Sequence, residues 1–98
     1  MAATLLKGQK YVDKADELAE GTALVQLGHA YLNYVRFITL VEDVLPSYEG
    51  WDGSDTQRVE TKRKGVCEKK LEQLTPSLVQ AFRTAKDQPL AAGDEVRQ

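Results

Sequence analysis

The side chains with the greatest potential for catalysis in this chain are one histidine and one cysteine, His29 and Cys67. A catalytic zinc site needs about three protein ligands, and a cysteine nucleophile needs a base beside it. His29 shares the polar side of its predicted helix with Gln26 and Asn33, which predicts a solvated surface residue. Cys67 follows Val66 on an apolar helix face, which favours burial. We therefore predict a non-enzymatic chain with no catalytic residue, metal or cofactor.

Composition argues against several other classes of function. The seven glycines form no phosphate-binding motif, and 13 basic residues against 15 acidic ones give no bulk attraction for nucleic acid or anionic membranes. No apolar stretch approaches the roughly 20 residues that cross a bilayer, so membrane insertion is not expected. A single cysteine and an N-terminus without a signal-peptide pattern favour a cytoplasmic protein.

A run of cations in the third predicted helix is the strongest charged feature: Arg58, Lys62, Arg63, Lys64, Lys69 and Lys70. One interpretation is an ordinary solvated face. The other is the edge of a groove that recognises an acidic or leucine-rich partner helix. Nucleic acid is a weaker alternative because no aromatic residues are interleaved with the cations. For the groove, the predicted partner-binding residues are Lys62, Val66, Lys69, Lys70 and Leu74.

Apolar spacing predicts the helices that position this run. The first helix is expected over about residues 4–20, and it ends at Gly21 in a left-handed cap, after which Thr22 caps the second helix. The second helix is expected from Ala23 to Leu45, stopped by Pro46. Steps of three and four residues define its packing seam, with a second stripe beside it. The seam comprises Leu24, Leu27, Tyr31, Tyr34, Ile38, Val41 and Leu45, and the stripe comprises Ala30, Phe37 and Val44.

After Pro46, a turn anchored by Tyr48 and Trp51 leads to the third helix. Ser54 and Gln57 form a capping-box pattern that places its start near Asp55. Pro76 is expected to kink the helix or to restart it as a short fourth segment that ends near Lys86. The predicted fold class is thus an all-α, three-helix antiparallel bundle with a proline break in the last helix, formed by residues 1–86 and followed by a flexible tail, 87–98.

Three stretches resemble the N-terminal domain of the AMSH family of endosomal deubiquitinases, a variant of the microtubule-interacting-and-transport (MIT) domain. The central match comprises His29–Leu32 and Tyr34–Leu40, then Leu45-Pro46 and Trp51. The flanking matches are Lys10–Val12 with Ala15-Asp16, and Leu71–Pro76. The resemblance implies an MIT-like bundle. The metalloprotease motif of the family is absent, so only a binding role is implied.

The resemblance also implies the partners and the location. It predicts a non-catalytic module that docks on C-terminal helices of ESCRT-III subunits in endosomal sorting and ubiquitin recycling, on the cytoplasmic side and peripheral to endosomes. The alternative is a homodimerisation module or scaffold of an endosomal deubiquitinase, since a related domain in an endosomal ubiquitin-specific protease self-associates. Leu27, Gly28 and Tyr31 also match a tetratricopeptide unit, but that repeat requires an earlier turn and a second copy.

Overall fold

The computed structural model describes residues 1–87, in which the chain forms three long helices. Helix α1 spans Ala2–Ala19, α2 spans Leu24–Thr39 and α3 spans Asp55–Asp87. Leu40–Val44 form a π-helical turn and Leu45–Ser47 a 3₁₀ turn, so helical backbone continues beyond α2. The described residues contain no strand. The all-α helical bundle predicted from the sequence is confirmed.

The predicted domain boundary falls close to the end of the described part of the chain. Asp87 is the last residue of α3, and the rest of the predicted tail, 88–98, lies outside the described residues. Helix α2 lies between the other two helices and packs against both. The buried core is drawn mainly from α2 and its continuation: Ala15, Leu27, Ala30, Tyr34, Phe37, Leu40, Val41, Leu45, Trp51, Cys67 and Leu74.

The buried side of α2 is rotated relative to the predicted seam. Phe37 and Ala30 were predicted to lie beside the seam, but both are completely buried at the centre of the side of α2 that faces the core. Tyr31, predicted within the seam, is 39 % exposed, and Val44 is 41 % exposed, so these two assignments are wrong. The rotation follows from the approach of α1, because Gly8 leaves room for the Phe37 ring. An added Cβ at Gly8 would lie 3.3 Å from that ring.

The connection between α1 and α2 differs from the predicted capped turn. Gly21 does not adopt the left-handed conformation, which among the glycines of residues 1–87 is confined to Gly50 and Gly53. A Cβ at Gly21 would instead collide with the side chain of Gln26. The N-cap of α2 is Ala23, without a side-chain hydrogen bond, so the predicted capping role of Thr22 is also wrong. The space beside Gly21 is occupied by the end of the exposed Gln26 side chain.

Pro46 changes the backbone conformation several residues before its own position. Proline has no N–H, and its ring conflicts with the carbonyl four residues earlier. The backbone accommodates this by widening into the π turn, whose Leu45 N–H donates to the carbonyl of Leu40, five residues back. Short π segments are rare, and they interrupt the regular side-chain spacing of a helix. The predicted stop near Leu45 is therefore approximately correct, but the path to it was not anticipated.

The loop that follows is anchored as the sequence predicted. Trp51 is only 3 % exposed, and the hydroxyl of Tyr48 forms a hydrogen bond of 2.6 Å with Thr4 Oγ1 at the start of α1. Ser54 Oγ accepts a hydrogen bond from the Gln57 N–H at 3.0 Å, which caps α3. Gln57 Oε1 in turn accepts a hydrogen bond from the N–H of Gly53 rather than from that of Ser54. The predicted start of α3 at Asp55 is confirmed.

The predicted restart at Pro76 is wrong, because α3 is one helix from Asp55 to Asp87. Thr75 does not serve as an N-cap. Its Oγ1 donates to the carbonyl of Leu71 at 2.8 Å, a bond within the helix. Pro76 and Glu72 are both exposed, so water can reach the carbonyl that lacks its usual helical donor. A solvated proline of this kind can remain inside a long helix.

Candidate docking face

The two residues considered for catalysis, His29 and Cys67, lie on different helices in different environments. His29 is exposed on α2, as predicted. Cys67 is buried on α3, and that burial raises the pKa of its thiol, which disfavours the reactive thiolate. Within residues 1–87, no group of three or more His, Cys, Asp and Glu side chains could hold a metal ion.

Helices α1 and α3 are joined by two polar contacts that share one register. The side chain of Gln9 accepts a hydrogen bond from Arg63. Seven residues further along both helices, Lys70 Nζ donates to Asp16 Oδ1 at 2.8 Å. Both contacts join residues 54 apart in sequence, so α1 and α3 run parallel and the two contacts are two helical turns apart. These contacts fix which side of each helix faces the other.

The second contact also includes α2, through the hydroxyl of Tyr34. That hydroxyl donates to Asp16 Oδ1 at 2.5 Å, and Lys70 Nζ lies 5.8 Å from the centre of the Tyr34 ring. Burial, the hydrogen bond and the charge of Asp16 all raise the pKa of Tyr34. Burial also acts to raise the pKa of Asp16, but the hydrogen bonds from Lys70 and Tyr34 and the positive charge of Lys70 outweigh it and lower that pKa. One carboxylate thus joins all three helices.

The lowered pKa of Asp16 predicts a loss of stability in acid. Its contribution should be complete above the ordinary value of 3.8 and should disappear as the pH falls through the lower pKa of the folded state. We expect Asp16→Asn to cost below about 1 kcal/mol at neutral pH, since the contact is partly exposed. Urea unfolding of both proteins at neutral pH and well below pH 3.8 measures the difference.

The control for this measurement is Asp13→Asn, because Asp13 accepts a hydrogen bond from the neutral Gln9 side chain instead of a cation. The difference in unfolding free energy between wild type and Asp16→Asn should become smaller in acid. The corresponding difference for Asp13→Asn should change little. A gap for Asp16→Asn that is equally large at both pH values would contradict an ionic role for Asp16.

The first contact is built around a buried carboxylate. Glu60 is 5 % exposed, and Arg63 Nη1 lies 3.2 Å from its Oε2. The guanidinium of Arg63 also lies 5.4 Å from the centre of the Phe37 ring on α2. Arg63 therefore neutralises a buried charge, bonds to Gln9 on α1 and stacks on the core of the bundle. Arg63 therefore stabilises the bundle, and its guanidinium is not available to a partner.

Ion pairing divides the predicted basic run into two groups. Four of its cations have acidic partners within 4 Å: Arg58 with Asp55, Arg63 with Glu60, Lys64 with Glu42, and Lys70 with Asp16. Among the salt bridges within residues 1–87, none includes Lys62 or Lys69. Both of these lysines are exposed, one heptad apart on α3. They are the cations that remain for a partner.

The five predicted partner-binding residues do not form one continuous surface. Lys62, Val66 and Lys69 are exposed, and they lie on one side of α3 by their spacing. Lys70 is turned towards Asp16 and Tyr34, and Leu74 is 7 % exposed within the core. Leu74 thus cannot form the floor of a groove in this conformation, and Lys70 cannot act as a free cation. The predicted site is reduced to Lys62, Val66 and Lys69.

The two contacts between α1 and α3 define the rest of the surface beside these residues. Between Arg63 and Lys70, Cys67 points inward and Val66 outward. Between Gln9 and Asp16, Val12 packs on the core and Asp13 is exposed. Residues three or four apart on a helix are neighbours. The outward row through Asp13 on α1 and the outward row through Val66 on α3 therefore each continue to the residues seven positions before and after. We call this surface the α1/α3 face: Leu6, Asp13 and Glu20 from α1, with Val59, Lys62, Val66, Lys69 and Gln73 from α3.

On the α1/α3 face, the row of α3 that contains Val59 and Val66 lies between the two lysines of α3 and the α1 row of Leu6, Asp13 and Glu20. Val59 and Val66, one heptad apart on α3, are 48 % and 49 % exposed, and Leu6 on α1 is 59 % exposed. The charged residues of the α1 edge are acidic, whereas those of the α3 edge are Lys62 and Lys69. The sequence alone gave no indication that the α1 residues belong to this surface, because the register between α1 and α3 depends on tertiary contacts.

Comparison with known proteins does not place the chain in a family. No protein-family model, no curated protein and no solved structure matches it. Within residues 1–87, no helix combines the length and apolar character needed to span a bilayer.

Proposed function

We propose that this chain is a non-catalytic interaction module that holds a partner helix on the α1/α3 face. The observation that carries the proposal is the state of Lys62 and Lys69, which flank the exposed Val66 and take part in no ion pair within residues 1–87. Apolar contacts along the middle of the face would supply affinity, and the lysines at its edge would guide the encounter. This is the arrangement expected of a helix-in-groove interaction.

The resemblance to MIT-like domains of the AMSH family supplies the proposed class of partner. We propose C-terminal helices of ESCRT-III subunits, bound at the cytoplasmic surface of endosomes, in a pathway of endosomal sorting and ubiquitin recycling. The chain would then act as the targeting part of a deubiquitinase or of a related scaffold. The support for this class of partner is the resemblance of the stretches named above, together with the all-α bundle.

Charge reversal at the free lysines tests the proposed interaction. We expect Lys62→Glu plus Lys69→Glu to weaken binding of ESCRT-III C-terminal peptides by about tenfold, mainly through a slower association rate, because edge charges act on the encounter. The salt dependence of binding should become weaker for the same reason. Titration of wild type and the double variant at two salt concentrations, with unfolding curves for both, measures these effects.

The matched control is Lys7→Glu plus Arg36→Glu, which makes the same change in net charge on exposed residues of α1 and α2 outside the defined face. It should leave the affinity nearly unchanged. Equal weakening by both double variants would attribute binding to the overall charge of the chain, and unaltered binding by the Lys62 and Lys69 variant would remove the interaction from this face.

Self-association is the second candidate function, and a separate apolar surface favours it. Phe82 is 56 % exposed and Val79 is 43 % exposed, and both line an open cleft with Leu24 and Leu78. Two copies could cover this surface by pairing their α3 helices. Sedimentation over a range of protein concentrations distinguishes the candidates: a stable dimer with no binding of ESCRT-III peptides would favour self-association.

A further inference from the structure

The charges on the two edges of the α1/α3 face have opposite signs. On the α3 edge, Lys62 and Lys69 carry positive charge one heptad apart. On the α1 edge, Asp13 and Glu20 carry negative charge, also one heptad apart and also exposed. The row of α3 that contains Val59 and Val66 lies between these two edges.

The acidic edge remains available to a partner. Asp13 accepts a hydrogen bond of 2.7 Å from Gln9 Nε2, which is a neutral donor. Among the salt bridges within residues 1–87, none includes Asp13 or Glu20. Neither exposed carboxylate is therefore paired with a cation within the described residues. A partner helix seated over Val66 would pass between them and the lysines.

We infer that the partner helix of this face is bipolar: it carries an apolar stripe, an acidic flank towards α3 and a basic flank towards α1. This inference rests on the proposed docking function and specifies the chemistry of the ligand. A uniformly acidic helix would pair with Lys62 and Lys69 but would place like charges beside Asp13 and Glu20. Like-charge contacts across an interface weaken binding and reject wrong partners. The face therefore selects by the pattern of charge rather than by its net sign.

The charge pattern also sets the direction of the bound helix. When a helix is turned end for end over a surface with its apolar stripe still facing down, its two flanks exchange sides. Only one of the two directions places acidic residues beside Lys62 and Lys69 and basic residues beside Asp13. Exchanging the flank charges of the ligand should therefore reverse its direction on the face.

Two designed helical peptides of equal length test the selection. They share one apolar stripe, and the bipolar peptide has glutamates on one flank and lysines on the other, whereas the acidic peptide has glutamates on both. We expect wild type to bind the bipolar peptide about tenfold more tightly at low salt, since two or more edge pairs change from repulsive to attractive. Equal affinity, or tighter binding of the acidic peptide, would overturn the inference and leave docking itself supported.

Absence of binding by either peptide, at concentrations where ESCRT-III peptides also fail to bind, would instead overturn the docking function and this inference with it. If ESCRT-III peptides bind and neither designed peptide does, then the inferred charge pattern is wrong while docking stands. The two failures are thereby distinguishable.

A reversal of the acidic edge provides the specificity switch. Asp13→Lys plus Glu20→Lys makes both edges basic, so the variant should prefer the acidic peptide. The matched control is Asp43→Lys plus Glu49→Lys, which makes the same change in net charge on exposed residues outside the face. The control should keep the wild-type preference. If the control also switches its preference, the selection arises from long-range charge and the inference fails.

A spin label at the N-terminus of the bipolar peptide reports its direction. Paramagnetic broadening in the protein spectrum should be strongest near one end of the face, around either Val59 or Gln73. A peptide with the two flanks exchanged should broaden the opposite end. The same end for both peptides would show that the edge charges do not orient the ligand.

Discussion

Phe37→Ala should cost about 3 to 5 kcal/mol of folding free energy, the range observed when a buried phenylalanine is truncated. That is a large part of the stability of a small domain. Phe37 is completely buried, and its ring and the side chain of Leu40 both lie beside Gly8. Its loss would leave a cavity at the crossing of α1 and α2, and it would remove the ring on which Arg63 stacks. Chemical unfolding monitored by circular dichroism gives the change directly.

Leu32→Ala is the matched control for this prediction, because Leu32 lies on the same helix and is 44 % exposed. It should alter stability by less than about 1 kcal/mol. A Phe37→Ala protein that unfolds at the same denaturant concentration as the control would show that α2 does not form the centre of the bundle through this ring.

The helical architecture could be predicted because its main determinants are local. Steps of three and four apolar residues marked α2, and the pairing of Ser54 with Gln57 marked the start of α3. The burial of Cys67 followed from its apolar helix face. The exact orientation of α2 could not be predicted in the same way, because Tyr31 and Phe37 are both apolar enough for a core. The choice between them depends on where Gly8 allows α1 to approach.

Proline effects were predicted less well, because they depend on the path of the chain after each proline. Pro46 and Pro76 have the same intrinsic defect, a missing N–H and a bulky ring. Before Pro46 the backbone changes to a π turn, whereas at Pro76 the helix continues. Both prolines are exposed, so exposure alone does not distinguish them. The turn that follows Pro46 reverses the chain, and the helix around Pro76 is free to extend.

The candidate site was only partly accessible from the sequence. Of the five predicted site residues, Lys62, Val66 and Lys69 are exposed on one side of α3, but helical spacing could not show that Lys70 has a partner on a distant helix. The pairing of Lys70 with Asp16 spans 54 residues. Leu74 was assigned to the groove although it lies one heptad after Cys67, and this spacing already places it on the buried side of α3. The acidic edge at Asp13 was not predicted, because its position follows from the register of α1 against α3.

Arg63→Ala should be the most destabilising single change among the cations of α3. Removing the guanidinium would leave the carboxylate of Glu60 buried without a cation, and breaking a buried ion pair in this way costs about 3 to 5 kcal/mol. Because the Arg63 side chain is about one-third exposed and water can partly replace it, we expect about 2 to 3 kcal/mol. The hydrogen bond to Gln9 and the contact with Phe37 would be lost as well.

Arg58→Ala is a closely matched control for that substitution. Arg58 lies on the same helix and also pairs with an acidic residue three positions earlier, but its side chain and that of Asp55 are 77 % and 91 % exposed. Exposed pairs of this kind contribute about 0.2 to 1 kcal/mol. The double variant Arg63→Ala plus Glu60→Gln should recover part of the lost stability, because it removes the uncompensated charge. Equal unfolding curves for Arg63→Ala and Arg58→Ala would show that burial of Glu60 does not make its ion pair important, and the first contact between α1 and α3 would then have no structural role.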